Sequence, residues 1–143
     1  MADLSELDTP CLVVDRAKVA ANAERLKSRL AKLGVPLRLH VKTAKSLEAV
    51  AAVVGPGKPP ITVSTLKEAE QFFDAGYKDI LYAVGFSPAK TPRARALVAR
   101  GCNLTVITDS IETARAISGF HVLIEIDTDG HRAGVKPDDE ALI

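Results

Sequence analysis

The sequence predicts an α/β fold built on a parallel sheet. After Gly34, short apolar runs alternate with helical patterns four times over, and a fifth apolar run follows. No two runs are joined by a hairpin turn. None is followed by a G-x-G-x-x-G or Walker-type loop, which counts against the nucleotide-binding doubly wound folds. Two architectures satisfy this pattern: a five-stranded open sheet, or the first part of an eight-stranded (β/α)8 TIM barrel.

The elements follow in chain order. Thr9-Pro10-Cys11-Leu12-Val13-Val14-Asp15 reads as a short strand, with Asp15 placed to cap the next helix. Val19, Ala23, Leu26, Leu30 and Leu33 fall on one face of that helix, and Gly34 supplies its left-handed stop. Leu37 to Lys42 is the next strand. Leu47, Val50, Ala51 and Val54 mark a helix that ends in the Gly55–Pro60 loop. Ile61–Ser64 is a strand, and Thr65 with Glu68 forms a capping box for a helix with Leu66, Ala69 and Phe73 inward. Asp79–Val84 is a strand, followed by a basic helix that Gly101 stops. Leu104–Thr108 is a strand, with Asp109 and Glu112 capping the helix after it. Val122–Asp127 is the last strand. A polar loop from Asp129 to Gly134 follows, and Pro137 opens a final helix.

Composition narrows the function. The chain has 143 residues, 47% hydrophobic and 26% charged, enough for a sizeable core. A net charge of +1 gives no electrostatic case for nucleic acid or an acidic membrane surface, and the absence of Trp leaves no base-stacking platform. No apolar stretch is long enough to span a bilayer. Met1–Glu6 has no basic, apolar leader, so a cytoplasmic location is expected. Cys11 and Cys102 match no metal spacing and are expected to be buried thiols.

Chemistry concentrates on one strand. Side chains alternate across a strand, so Arg38, His40 and Lys42 share one face and Leu37, Leu39 and Val41 the other. Three basic residues on one face mark either a wet edge strand or the wall of a site. Lys42 closes an apolar strand instead of opening a helix. A lysine in a partly desolvated pocket loses affinity for its proton, and the neutral amine can form a Schiff base with an aldehyde. Pyridoxal phosphate is the common aldehyde cofactor. His40 either orients the amine or cofactor, or is a satisfied core histidine. Lys45 is expected to face solvent. At the other end of the series, Glu125 points to the same strand face as Leu123 and Asp127, and a carboxylate there needs a cation. Arg132 is close enough in sequence to fold back and supply it, or is an exposed loop arginine.

The order T-P-x-L-V-V-D, R-x-H-V-K-T-A-K-S, I-T-V-S-T-L-K-E-A-E, D-I-L-Y-A-V and E-I-D-T-D-G-H-R-A-G-V resembles the alanine racemase-like, fold-type III pyridoxal-phosphate enzymes. Within them the chain looks most like the D-serine dehydratase and D-threonine aldolase branch. The resemblance implies a lyase acting on a small D-amino acid. It makes Lys42 the lysine that holds pyridoxal phosphate, His40 the family's histidine two residues before it, and Arg132 the arginine at the cofactor's phenolic oxygen. Glu125 stands where alanine racemases carry a carbamylated lysine, which favours the lyase branch over a racemase. Leu39 and Ala44 depart from that branch's R-P-H-x-K-T-H-K run, so the resemblance does not name the substrate. The alternatives are an amino-acid racemase of the alanine racemase type and a non-catalytic pyridoxal-phosphate-binding protein.

A complete barrel of this kind needs about 250 residues. The chain is therefore expected to be an amino-terminal fragment. Residues 1–15 would be a strand of a β-domain lying elsewhere in the protein, and residues 16–143 the first part of the cofactor-binding barrel. By the resemblance, the phosphate-binding loop and any divalent metal site, zinc or manganese, would lie outside this chain. Open sheet edges favour self-association, and a homodimer is expected.

Overall fold

The computed structural model describes residues 3–140. These fall into two compact units, one ending at Pro36 and the other beginning at Leu37. In the first unit a single helix dominates, α1 (Arg16–Leu33). Asp15 caps it as expected, its carboxylate accepting the Lys18 N–H at 3.0 Å. Gly34 ends it at φ +66°, a conformation that a side chain disfavours. On the expected apolar face Ala23 is buried, but Leu26 and Leu33 are exposed.

Two expectations fail in this unit. The Thr9–Asp15 stretch carries no strand among the described residues, and Leu12 is 90% exposed. Apolar β-branched sequence sets a propensity, but a strand exists only against a partner's ladder of hydrogen bonds. Cys11, on the same stretch, is exposed; only Cys102 is buried.

The second unit is a five-stranded parallel sheet with strand order β1-β2-β3-β4-β5. The strands are β1 (Leu39–His40), β2 (Ile61–Val63), β3 (Asp79–Gly85), β4 (Asn103–Thr108) and β5 (His121–Ile124). Between them run α2 (Leu47–Val54), α3 (Leu66–Asp74), α4 (Thr91–Ala99) and α5 (Ile111–Ala116). Each crossover advances by one strand and never reverses, whereas doubly wound sheets reverse at a switch point. The sheet is thus the wall of a (β/α) barrel, which decides between the two architectures the sequence allows.

The register assigns the faces. Ile61, Ile80 and Leu104 stand in line, as do Val63, Tyr82 and Val106. All six are buried, packed with Val50 of α2, Leu66, Ala69 and Phe72 of α3, and Ala94 and Leu97 of α4. This is the helix-facing core. Phe72, not Phe73, is the fully buried aromatic of α3, meeting Tyr77 edge-on at 5.4 Å.

Three boundaries differ from expectation. β1 is shorter than the predicted strand because the chain turns at Lys42–Ala44, although Val41 N–H still reaches the Thr62 carbonyl at 2.9 Å. The cap of α5 is Ser110, whose hydroxyl accepts the Thr113 N–H at 3.1 Å; Asp109 is used elsewhere. β5 ends at Ile124, and Ile126 forms an isolated bridge with Val135. Over the described part of the helix expected from Pro137, residues 137–140, the chain turns without forming an α-helix; residues 141–143 lie outside those described.

Candidate active site at the carboxyl ends of the strands

On the sheet's second face, His40, Thr62, Leu81, Thr105 and His121 lie in one row across all five strands. This is the inner face of the barrel wall. At its lower, amino-terminal end, Arg38 binds Asp79 at 2.8 Å and the Ile61 carbonyl at 3.2 Å. At its upper end the chain leaves β1 and turns at Lys42.

His40 is built into that turn. Its Nδ1 accepts the Lys42 backbone N–H at 3.3 Å, and its Nε2 lies 3.5 Å from the Ser64 hydroxyl. An Nδ1 that accepts a proton donor places the neutral ring's own hydrogen on Nε2. Burial lowers the His40 pKa, and the Lys42 charge lowers it further against a weaker opposing pull from Glu68. The ring is therefore neutral near neutral pH. This geometry ties His40 to the backbone of the lysine turn.

The Lys42 side chain is exposed. The desolvated pocket expected around it is not formed by these residues, because a five-stranded wall does not close on itself. The strands on either side of the lysine turn are parallel, as a barrel requires.

Sequence reasoning missed the group behind this turn. Glu68 is only 3% exposed. Its carboxylate accepts the Ser64 N–H at 2.8 Å and pairs with the Lys45 ammonium at 3.2 Å. Thr65 caps α3 as expected, accepting the Glu68 N–H at 3.0 Å. Burial works to raise the Glu68 carboxyl, but the Ser64 N–H, Lys45 and the Thr65 N–H together hold it below the usual range. The signal available in sequence was the capping-box glutamate itself. Nothing local distinguishes one that stays at the surface from one drawn under a lysine.

Glu125 and Arg132 belong to the far edge. Glu125 lies four residues beyond His121, so it shares the inner face with His40. Its N–H donates to the Thr108 carbonyl at 3.0 Å. Arg132 is exposed, and the expected ion pair between it and Glu125 is not formed among the described residues. The loop folds on its own carboxylates instead. Asp127 accepts the Gly130 N–H at 3.0 Å, and Asp109 of the β4–α5 connection accepts the Gly134 N–H at 3.2 Å. Burial opposes ionisation of Asp127, but the N–H groups of Asp129, Gly130 and Arg132 together hold its carboxyl below the usual range.

No bond joins the Lys42–His40 pair to Glu125 or Arg132. They stand on opposite edges of the sheet, four strand spacings apart, roughly 19 Å along it at about 4.8 Å each. Curvature of a barrel wall turns both edges toward one interior. Among the described residues, no group of three or more His, Cys, Asp or Glu side chains gathers as a metal site, and no helix is long and apolar enough to cross a membrane.

The family model for the alanine racemase N-terminal domain matches residues 14–143. The chain is 50% identical to a D-threo-3-hydroxyaspartate dehydratase of Delftia sp. (strain HT23), over 98% of this chain and 39% of that protein. It is 34% identical to a D-serine dehydratase of Dictyostelium discoideum, over 94% and 38%. It is 31% identical to a D-threonine aldolase of Arthrobacter sp, over 98% and 38%. Among solved structures, an Ala racemase-like protein from Idiomarina loihiensis superposes with a TM-score of 0.91 at 45% identity, covering 97% of this chain and 39% of that one. A D-threo-3-hydroxyaspartate dehydratase mutant in a metal-free form gives 0.90 at 50% identity, covering 97% and 39%. The chain thus spans well under half the length of these relatives.

Proposed function

Because the chain belongs to the alanine racemase N-terminal-domain family, we propose that it forms the first part of the barrel of a pyridoxal-phosphate-dependent lyase acting on β-hydroxy D-amino acids. Residues 1–15 are assigned to a second, β-rich domain and residues 16–143 to the barrel. The substrates in the relatives' names, 3-hydroxyaspartate, serine and threonine, share a hydroxyl on the β-carbon. Dehydration and aldol cleavage both act next to that group.

The observation that carries the reading is the placement of Lys42. It sits at the carboxyl end of a parallel inner-face strand, where barrel enzymes hold their reactive groups, with the His40 ring bonded to its backbone. The donor set fits the cofactor. A primary amine faces open space at the strand end, a neutral imidazole flanks it, and at the far edge an arginine makes no ion pair among the described residues. Pyridoxal phosphate, when bound, accepts the electron pair left on the α-carbon.

This chain's residues then have separate tasks. Lys42 Nζ would hold the cofactor and, when released, would in dehydration take the proton from the substrate's α-carbon. His40, neutral and fixed at both ring nitrogens, orients the turn without adding a second positive charge beside the amine. Arg132 would supply a positive charge to the cofactor's phenolic oxygen. Glu125 would add a carboxylate on the inner face beside the cofactor, without an ion pair to Arg132 among the described residues. In dehydration the β-hydroxyl leaves as water; in aldol cleavage it loses its proton as the Cα–Cβ bond breaks. The groups serving the β-carbon, and any divalent metal, zinc or manganese, are assigned to residues outside this chain. A homodimer in the cytoplasm is the proposed working form.

The test uses the full natural protein. Incubation with pyridoxal phosphate is expected to give a visible absorption band, and borohydride is expected to fix the cofactor on Lys42. Lys42→Ala is expected to abolish both, and an unchanged band in that variant refutes the assignment. Product analysis with D-serine, D-threonine, D-3-hydroxyaspartate and D-alanine separates dehydratase, aldolase and racemase.

A further inference from the structure

We propose that Glu68 is a positioning residue for Lys42: acting through the Lys45 ammonium, its buried carboxylate locks the turn that presents the reactive amine. This inference rests on the assignment of Lys42 as the cofactor lysine.

The turn is held in a costly conformation. Lys45 has φ +50° and is the one non-glycine residue with positive φ among those described. A lysine backbone persists there only when its surroundings over-determine it. Three bonds do so. Its N–H donates to the Val41 carbonyl at 3.0 Å. Its carbonyl accepts from Gln71 Nε2 at 3.4 Å. Its ammonium lies 3.2 Å from Glu68 Oε1. Two of these partners belong to α3, so α3 grips the end of the lysine turn.

Glu68 is in turn anchored to the strand next door. Ser64, which follows β2, donates its N–H to Glu68 Oε2 at 2.8 Å, while its hydroxyl faces His40 Nε2 at 3.5 Å. His40 Nδ1 accepts the Lys42 N–H at 3.3 Å. Ser64 is thus a common post, reached by Lys42 from one side through His40 and by Lys45 from the other through Glu68. Helix capping does not require this. The Thr65 hydroxyl already satisfies the Glu68 N–H, and a capping glutamate ordinarily returns to its own cap residue at the surface. Here the carboxylate still feels the Thr65 N–H of its own cap, but it is buried, takes its 2.8 Å hydrogen bond from Ser64 one residue earlier, and is paired with a lysine of another loop.

The test is the affinity of the full natural protein for pyridoxal phosphate, read as borohydride-fixed adduct on the Lys42 peptide across a concentration series, with a melting curve for each variant. Lys45→Met and Glu68→Gln are each expected to weaken that affinity about tenfold, since loss of orientation at a reacting group is felt strongly. The double variant is expected to be no worse than either single one. Lys45→Arg, which keeps the cation, is expected to stay within about twofold of the parent. The Lys45 side chain is 58% exposed, so its variants test the idea even if Glu68→Gln does not fold. A Lys45→Met protein that binds as the parent does, or additive losses in the double variant, overturns the inference alone. No adduct on Lys42 in the parent overturns the functional assignment, and this inference with it.

Discussion

Neutralising Glu68 is expected to cost stability in a way that depends on pH. The perturbation is Glu68→Gln, nearly the same shape without the charge. The carboxylate is 3% exposed, so water cannot replace what it loses. A hydrogen bond to a charged acceptor contributes about 1.5–3 kcal/mol against about 1 for a neutral one, so the Ser64 N–H bond loses roughly 1 kcal/mol. The Lys45 ammonium is 58% exposed, and its share is held to about 1 kcal/mol by screening. The sum is about 2 kcal/mol at pH 7. The Glu68 carboxyl is lowered on folding from its ordinary 4.5, the Ser64 N–H and Lys45 outweighing the opposing effect of burial. Such a group adds stability that is complete above its unfolded value and is lost as the pH falls through the lower folded value. The parent protein should therefore lose this increment on acidification, whereas the glutamine variant has none to lose. Urea denaturation of both proteins, at pH 7 and at successively lower pH, measures the gap. A gap that stays constant as the pH falls would refute the reasoning.

Three further outcomes are expected. Gly134→Ala should open the Arg132 loop: at φ +126° a Cβ would stand 2.5 Å from the Asp127 nitrogen and 2.8 Å from the Ile126 carbonyl carbon, both backbone. Faster tryptic cleavage after Arg132 and a loss of roughly 1–3 kcal/mol would follow, and unchanged digestion would count against it. Thiol mapping at pH 8 in native buffer should label Cys11 and spare Cys102, whose thiol burial and the Asp79 charge push up to about 11. Equal labelling of the two would contradict the described burial. Leu97→Ala, at a side chain 2% exposed between α4 and the sheet, should cost about 2–5 kcal/mol by chemical denaturation. A loss under about 1 kcal/mol would place Leu97 outside the core.

What the sequence determined by itself was everything settled within a few residues. Strand–helix alternation, the caps at Asp15 and Thr65 and the stop at Gly34 each depend on partners no more than four positions away. Lys42 could be singled out because it breaks a local rule, closing an apolar strand with a charge. Tertiary structure decided which of several competent partners each polar group took. Asp109 and Ser110 are both able to cap α5; Ser110 does so because the Gly134 N–H, 25 residues on, claims Asp109. Arg132 and Glu125 are seven residues apart yet unpaired, because their loop closes on Asp127. Glu68 reads as a cap, and only the packing of α3 against the lysine turn makes it a buried counter-ion. The reason is the same throughout: local hydrogen bonds are specified by short chain geometry, whereas a choice between near and distant partners depends on where the whole sheet brings the distant one.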